Sequence, residues 1–462
     1  MGVAARFFRL SPILAHQEGC HTLRVLPRLE IVRRLRPVSL VEAGSAHHVD
    51  AGVQPMPMPA PYAAAVLPLP VAGPGSLAFH LGDHLLTGCF DGTHAELRVS
   101  RGAATKTHRS RRHGRCAVPP SRLALTLTGS QLTVLVEEAG EWVARARLDL
   151  TGLVDARDES LLAGLRVEAS GTATAGRFGQ LGLRDIRLVT SRDGTPVRDG
   201  DLLLLSATSA GPGFFDTAHT SVWSLDPDSL TLQHRSDLFF RRPDKPGVYG
   251  DHATHIVRDG DEWLVATSTW GDFRHHDPDR SVRATIARTS ADLLSDVHVL
   301  DTTELPLPTD GFTSVGVWDP HLVHTGDEWL VGYASARKFF RFHPALASGP
   351  TLDRLSLRGA ATDRRATEGT TILRVGDQWR VLASDGRDGR RGQRARYPVF
   401  DLAMAEVGAL AAAYPTNLPW PTLAHTDRGW LMITFNGRPA TGPLVGYGTH
   451  GDLVVQREVG RV

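Results

Sequence analysis

One six-residue stretch occurs twice in this chain, and weaker copies of it follow. Residues 260–265 and 326–331 both read GDEWLV, while residues 376–381 (GDQWRV) and 427–432 (DRGWLM) keep the tryptophan. The four tryptophans lie 66, 50 and 51 residues apart. Self-similarity at such a period is typical of solenoids, propellers and other repeat arrays, so we expect a fold built from repeated units.

Each copy joins an apolar run to an alternating apolar run through a polar Gly/Asp turn, which is the pattern of a β-hairpin. Further weak strands follow each hairpin, giving about four strands per repeat, the content of one propeller blade. A fifth turn at Gly200 lacks only the tryptophan. The sequence therefore predicts an all-β chain with a five-bladed β-propeller over residues 181–462. The hairpin tryptophans should pack between neighbouring blades.

Two segments precede this region. Residues 1–60 carry scattered arginines and end in a proline-rich run, so they are predicted to be a disordered tail or linker, with Met56 or Met58 as a second candidate start. Residues 61–180 show short alternating strands, as in Leu123–Thr128, and are predicted to form a β-sandwich of the jelly-roll kind.

Charge and composition narrow the classes of partner. The net charge of +1 gives no electrostatic case for nucleic acid or for a membrane surface. No apolar run approaches the length of about 20 residues that spans a bilayer, and no export signal is evident, so cytoplasmic residence is expected. Three cysteines are too few for a disulfide framework, and the usual zinc-ligand spacing is missing. We expect neither a metal nor another cofactor.

Acidic residues recur upstream of the hairpin tryptophans. Asp251 lies 12 residues before its tryptophan, Asp319 lies 10 before and Glu368 lies 11 before. If these residues lie on the innermost strands of consecutive blades, the three carboxylates meet at one end of the central channel. Glycoside hydrolysis needs one carboxylic acid that protonates the leaving oxygen and one carboxylate that activates water.

Three motifs carry a resemblance to a known family. GDHATH at Gly250, VWDPH at Val317 and TEGT at Thr367 resemble, in the same order, stations of the five-bladed glycosidases of glycoside hydrolase family 43 and, more distantly, of family 32. The sandwich resembles the lectin-like domains attached to such propellers. The resemblance implies Asp251 as general base, Asp319 as the carboxylate that tunes pKa and orients the sugar, and Glu368 as general acid. Asp185, in the preceding blade, is the alternative base.

Other side chains are candidates for contact with a carbohydrate. On a strand, residues two or four apart share a face. His321 should therefore point to the same side as Asp319, and His255 to the same side as Asp251. His252 should point away from both acids. Trp318 and Trp420 could stack on a sugar ring. Loops after the second strands bring further polar candidates to the same rim: Asp272, Arg337 and Asp385.

Two classes of function remain open at this stage. The first is an inverting glycoside hydrolase that acts on a furanoside or pentoside of the arabinose, xylose or fructose type. The second is a non-catalytic propeller that binds glycans or a protein partner. In both cases the expected partner is a carbohydrate or another protein, and the oligomeric state is open.

Overall fold

The computed structural model describes residues 26–70, 73–445 and 451–460. Within them nearly all regular structure is β-strand. The chain first lays down strand β1 (Arg28–Leu35), then builds a two-sheet sandwich, and then runs through a β-propeller. The only α-helix of the described part is one short turn, α1 (Glu159–Ala163). No helix of the described part is long and apolar enough to cross a membrane.

The sandwich consists of two antiparallel sheets that face each other. One sheet has the order β12-β11-β10-β5-β14-β2, with β3 beside β14, and the other has the order β4-β13-β6-β7-β8-β9. Alternate residues of their strands point inward, and Phe79, Leu86 and Leu125 are fully buried between the sheets. The strands are β2 (Ser39–Val41), β3 (His47–Val49), β4 (Gly52–Pro55), β5 (Tyr62–Pro68), β6 (Gly75–Leu81), β7 (His84–Phe90), β8 (Ala95–Arg101), β9 (Ala104–His108), β10 (Arg122–Thr128), β11 (Gln131–Glu138), β12 (Glu141–Asp149), β13 (Arg166–Ala169) and β14 (Ala173–Gln180).

The propeller strands form four sheets, and the last of them has the order β31-β32-β33-β34-β1-β37-β36-β35. We divide this sheet at the parallel pair of β34 and β1, which gives five groups, opened by β15, β22, β27, β31 and β35. We take each group as one blade and number the blades in this order. The strands are β15 (Leu183–Leu188), β16 (Thr190–Ser191), β17 (Arg198–Asp199), β18 (Leu202–Ser209), β19 (His219–Leu225), β20 (Leu232–Arg241), β21 (Val248–Tyr249), β22 (His252–Asp259), β23 (Glu262–Ser268), β24 (Ala284–Thr289), β25 (Val297–Asp301), β26 (Thr303–Glu304), β27 (Val317–His324), β28 (Trp329–Lys338), β29 (Arg341–Gly349), β30 (Ser356–Ala360), β31 (Thr367–Val375), β32 (Gln378–Asp385), β33 (Tyr397–Phe400), β34 (Glu406–Ala412), β35 (Thr422–Thr426), β36 (Gly429–Asn436) and β37 (Asp452–Glu458).

The repeated Gly/Asp letters form the turns of the inner hairpins. Asp259 pairs with Glu262, so Gly260 and Asp261 form a two-residue turn, and Gly260 has a φ of 65°. Glycine reaches positive φ without the steric cost that a Cβ imposes, which explains why it leads this turn. The tryptophan that follows packs against the preceding blade. Trp263 shares a buried cluster with Val189 of the first blade, as predicted.

The tail predicted over residues 1–60 needs correction over its second half, because residues 28–55 contain four strands. Strand β1 pairs with β37 and becomes the outermost strand of the fifth blade. The prediction failed because the partner strand lies more than 400 residues away and because five of the eight residues of β1 are exposed, which leaves no clear alternation of apolar and polar residues. In the proline-rich run, Met56 and Met58 are buried in the sandwich. The part of the predicted tail before residue 26 lies outside the described residues.

The sandwich packs directly on one side of the propeller. Tyr62 of β5 donates its hydroxyl hydrogen bond to the carbonyl of Ala218 at 2.7 Å, and the side-chain amide of Gln131 donates to Asp216 at 3.0 Å. Gly250 lies against the Tyr62 ring so closely that an added Cβ would come within 2.0 Å of its hydroxyl oxygen. This contact fixes the sandwich beside the segment that leads into β22.

Candidate active site

The opening strands of the first four blades share one irregularity. Each has a break in its pairing register, and within each break one residue has positive φ: Asp185 (53°), Ala253 (61°), Asp319 (59°) and Gly369 (68°). A β-bulge of this kind inserts an extra residue, bends the strand and re-aims the side chains on either side. The four residues therefore occupy equivalent positions in their blades, which we call stations. The bulge at each station sets which side chains of that strand face the channel.

Three carboxylates meet in one pocket at these bulges. Two of them, Asp185 and Asp319, are stations, and Glu368 directly precedes the Gly369 station. Asp185 of β15, Asp319 of β27 and Glu368 of β31 line a cavity of about 310 Å³. Asp319 is 2% exposed, whereas Asp185 and Glu368 are partly buried. Three different blades thus supply one acidic group each, as the sequence predicts for the channel mouth, although one member of the predicted trio is replaced.

The replaced member is Asp251. Its fully buried carboxylate accepts two hydrogen bonds from the guanidinium of Arg242, one of them 2.8 Å from Nε to Oδ2, and a third from the backbone N–H of Gly271 at 3.0 Å. It does not line the pocket. The station of the second blade is Ala253, which has no ionisable group. The expectation that Asp251 faces the channel is therefore wrong, and its alternative, Asp185, occupies the pocket.

A buried arginine lies next to the acids. Arg187 donates hydrogen bonds to the backbone carbonyl of Thr370 at 2.7 Å and of Asp319 at 2.9 Å, and its guanidinium stacks on the Trp420 ring at 4.6 Å. Burial lowers its pKa to about 10, which leaves it charged at neutral pH. The arginine thus ties three blades together and offers one fixed positive charge to the carboxylates.

The three acids all have raised pKa values. Burial, together with the charge of Asp185, raises the pKa of Glu368 to about 8. Burial also raises the pKa of Asp319 well above its usual range, helped by the charges of Glu368 and Asp185, and Arg187 opposes this. Burial raises the pKa of Asp185 as well, with Arg184 acting in the opposite direction. Burial and repulsion among these acids therefore favour the protonated form of Glu368 near neutral pH.

Aromatic rings form most of the pocket wall. Trp318 donates its indole N–H to Oε2 of Glu368 at 3.3 Å, which holds that carboxyl against the wall. Trp420 lies across Gly369, where an added Cβ would come within 2.1 Å of the ring. The structure therefore places Trp318 and Trp420 in the pocket. The remaining apolar wall consists of Phe214, Phe215, Ala253, Trp270, Phe339, Phe340, Phe342, Ala366, Leu418 and Phe435.

Five of the residues predicted to bind substrate lie elsewhere. His255 and His321 stack on each other with ring centroids 4.1 Å apart, and both are buried without lining the pocket. The backbone N–H of Leu322 donates to Nδ1 of His255 at 3.0 Å, so this imidazole joins neighbouring blades. Two of the other three form ion pairs with arginines and do not line the pocket: Asp272 with Arg242, and the fully buried Asp385 with Arg364 and Arg396. Arg337 donates to the backbone carbonyl of Thr362 at 3.1 Å.

The predicted site residues do not include Arg184, His252, Asp388 and Asn417, which supply the other polar groups of the pocket. The expectation that His252 points away is wrong, because its side chain lines the pocket. A signal for the stations was present in the spacing. Ala253, Asp319 and Gly369 each lie ten residues before a hairpin tryptophan, whereas Asp251 lies 12 before. A constant spacing would have aligned Ala253 with Asp319 and would have placed His252 beside the channel. In the described residues, no group of three or more His, Cys, Asp or Glu side chains is arranged to hold a metal ion.

No family model matches the sequence, and no curated protein matches it. Among solved structures, the chain is similar to the GH43_1 enzyme from Xanthomonas citri complexed with xylose, with 11% identity, 61% of this chain and 88% of that chain covered, and a TM-score of 0.42. It is also similar to the inulosucrase from Halalkalicoccus jeotgali bound to kestose (13% identity; 60% and 85% covered; TM-score 0.45). A third is a family 117 glycoside hydrolase from Zobellia galactanivorans (10%; 60% and 90%; 0.40).

A family 43 enzyme is thus among the solved structures that this chain resembles, as the sequence motifs predict. The neighbours are carbohydrate-active proteins by name. All three TM-scores are low, however, so these likenesses decide nothing about the chemistry of the present pocket. Its function has to be inferred from its own residues.

Proposed function

We propose that this protein is a glycoside hydrolase that acts on a furanoside or pentoside of the arabinose, xylose or fructose type. The observation that carries the proposal is the pocket itself: Glu368, whose pKa burial raises to about 8, lies in one aromatic-walled cavity with two further acidic side chains that come from other blades. A carboxylic acid that stays protonated near neutral pH, paired with carboxylates, is the equipment of glycosidic bond cleavage.

Each acid has a role that its surroundings support. Glu368 is the general acid, because its raised pKa keeps the proton that the leaving oxygen needs. Asp185 is the general base that takes a proton from the attacking water, since Nε of Arg184 lies 3.4 Å from its Oδ2 and favours the charged form. Asp319 sets the charge around Glu368 and holds the sugar hydroxyls. The inverting course is the one that the family 43 resemblance implies.

Arg187 supports these roles electrostatically. Its fixed charge opposes the rise that burial causes in the pKa values of Asp319 and Asp185, while burial and the charge of Asp185 keep the pKa of Glu368 high. Acid and base catalysis in one step requires one carboxyl that holds a proton beside another that is charged. Both Arg187 contacts with carbonyl groups are backbone contacts, so its position does not depend on the protonation of the acids.

The size of the cavity bears on the mode of action. A volume of about 310 Å³ is at the lower end of small-ligand pockets and fits one sugar ring better than a run of several. Aromatic faces suit the apolar face of a sugar, and the few polar groups suit its hydroxyls. We therefore propose that the enzyme removes single terminal residues.

A panel of 4-nitrophenyl glycosides tests the proposal: α-L-arabinofuranoside, β-D-xylopyranoside and β-D-fructofuranoside. We expect turnover of at least one of them. Glu368→Gln should keep much of the rate on these activated leaving groups and should lose about 10²- to 10⁴-fold on an alkyl glycoside, which needs protonation. NMR of the first-formed product should show the inverted anomer. Binding of sugars without release by the native protein would instead indicate a glycan-binding propeller.

A further inference from the structure

His252 lines the pocket but has no part in the proposed proton transfers. It opens β22, lies immediately before the Ala253 station and is 1% exposed. The pairing of β22 places it opposite Ser268. The ring lies near Phe215, with centroids 6.4 Å apart, and both side chains line the cavity.

The hydrogen bond on one ring nitrogen fixes the tautomer. Nδ1 lies 3.0 Å from the backbone carbonyl oxygen of Gly250, which can only accept, so Nδ1 carries the proton. Burial lowers the pKa of His252 well below its usual range, and the nearby Arg184 and Arg242 act in the same direction. The ring is therefore neutral, and Nε2 presents a lone pair that can only accept a hydrogen bond.

Nε2 of His252 is buried and has no hydrogen-bond partner among the described residues. Buried polar atoms in native proteins are nearly always paired, so an orphaned acceptor on a pocket wall calls for an explanation. The other channel histidines differ in this respect. Nδ1 of His255 accepts from Leu322, and its Nε2 lies 3.2 Å from the hydroxyl of Thr190.

We propose that Nε2 of His252 accepts a hydrogen bond from a hydroxyl group of the bound sugar and thereby selects the substrate. The proposal rests on the function argued above and adds a chemical requirement to it. The sugar must present a free hydroxyl donor at that position. A deoxy position, a methyl ether or a carboxylate there cannot donate and is rejected, because the buried acceptor then stays unpaired.

Three variants test this inference. His252→Phe keeps an aromatic ring of similar shape without nitrogen, and His252→Gln returns a polar group that can accept. The matched control is His343→Phe, because His343 is 1% exposed and also has an unpartnered Nε2, yet it packs on Phe312 and does not line the pocket. Each protein is assayed on the best 4-nitrophenyl glycoside of the panel and on its monodeoxy analogues.

For native protein and His343→Phe, one deoxy analogue should lose at least about 100-fold in kcat/KM relative to the parent glycoside. His252→Phe should lose a similar factor on the parent and show a parent-to-analogue ratio near one for that same analogue, whereas the other analogues keep their native ratios. His252→Gln should recover part of the discrimination. If His252→Phe retains the native ratio for every analogue, the inference is wrong.

A binding experiment distinguishes failure of the hydrolase proposal from failure of the proposal for His252. If no glycoside is cleaved, L-arabinose, D-xylose, D-fructose and their deoxy forms are titrated against the fluorescence of the pocket tryptophans. Binding that depends on one hydroxyl and on His252 would support the inference while removing the hydrolase proposal. Absence of binding by any of these sugars would overturn both. With ¹⁵N-labelled histidine, the resonance missing in His252→Phe should show an unprotonated Nε2 that shifts when sugar binds.

Discussion

Replacing Asp251 by asparagine separates a structural acid from a catalytic one. Asp251 and Arg242 are buried almost completely, at 0% and 2% side-chain exposure. Both Nη2 of Arg242 and the backbone N–H of Gly271 donate to Oδ1, while Nε of Arg242 donates to Oδ2. In Asp251→Asn, the side-chain NH₂ group replaces one of these oxygens and therefore points at an N–H group that needs an acceptor. The guanidinium of Arg242 also loses the negative charge of Asp251.

Removing one partner of a buried ion pair costs about 3 to 5 kcal/mol. Asp272 also pairs with Arg242, but its side chain is 26% exposed, so solvent weakens the interaction. It therefore compensates only part of the lost stability. With an m-value of about 3 kcal/mol per M, the urea midpoint should fall by about 1 M or more. Asp272→Asn is the matched control, since Asp272 pairs with the same arginine from a more solvent-exposed position. This variant should lower the free energy of unfolding by about 1 kcal/mol or less.

The assay combines urea unfolding with turnover of the folded protein at low temperature. We expect Asp251→Asn to be strongly destabilised and to keep kcat within about tenfold of the native value, because Asp251 does not reach the pocket. A variant with native stability and no turnover would refute this reasoning and would return Asp251 to the role of base.

Four further outcomes follow. The kcat/KM should fall as pH rises through about 8, where Glu368 loses its proton, and a pH-rate profile checks this. Burial lowers the pKa of His234, but hydrogen bonds and charge from Asp237 and Glu42 outweigh it and raise this pKa to about 9. The protonated ring should therefore add about 3 kcal/mol to the free energy of unfolding below pH 6.5, and this contribution should vanish as pH rises through 9. Urea unfolding of native protein and of His234→Gln across this range measures it. Gly369→Ala combines positive φ with a clash on Trp420, and it should lower both the melting temperature and sugar binding. Deletion of residues 1–35 removes β1 from the fifth blade and should lower the melting temperature by more than 10 °C.

The sequence was most informative where signals are local. The repeated turns predicted hairpins because Gly260 has to adopt positive φ there, and the tryptophans predicted contacts between blades because a large ring on a short strand has to be buried. Strand β1 could not be predicted in this way. Its pairing with β37 depends on closure of the ring, which joins two ends of the chain that share no local pattern.

Among the site residues, Asp319 and Glu368 were found because a proline or glycine marks their bulges. Asp185 is only the alternative base in the sequence analysis because its blade lacks the tryptophan from which the spacing is counted. Asp251 is the first choice there because the sequence does not distinguish a carboxylate at the station from one two residues before it. Only the bulge, which inserts one residue and re-aims its neighbours, decides which of them faces the channel. The arginine that buries Asp251 lies nine residues upstream, in a segment without motif.

The most direct test of the account is the turnover of Asp185→Asn measured beside that of Asp251→Asn on the best glycoside of the panel. The account predicts that the kcat of folded Asp185→Asn falls by about 10³-fold or more. Turnover by Asp185→Asn within tenfold of the native rate would contradict it.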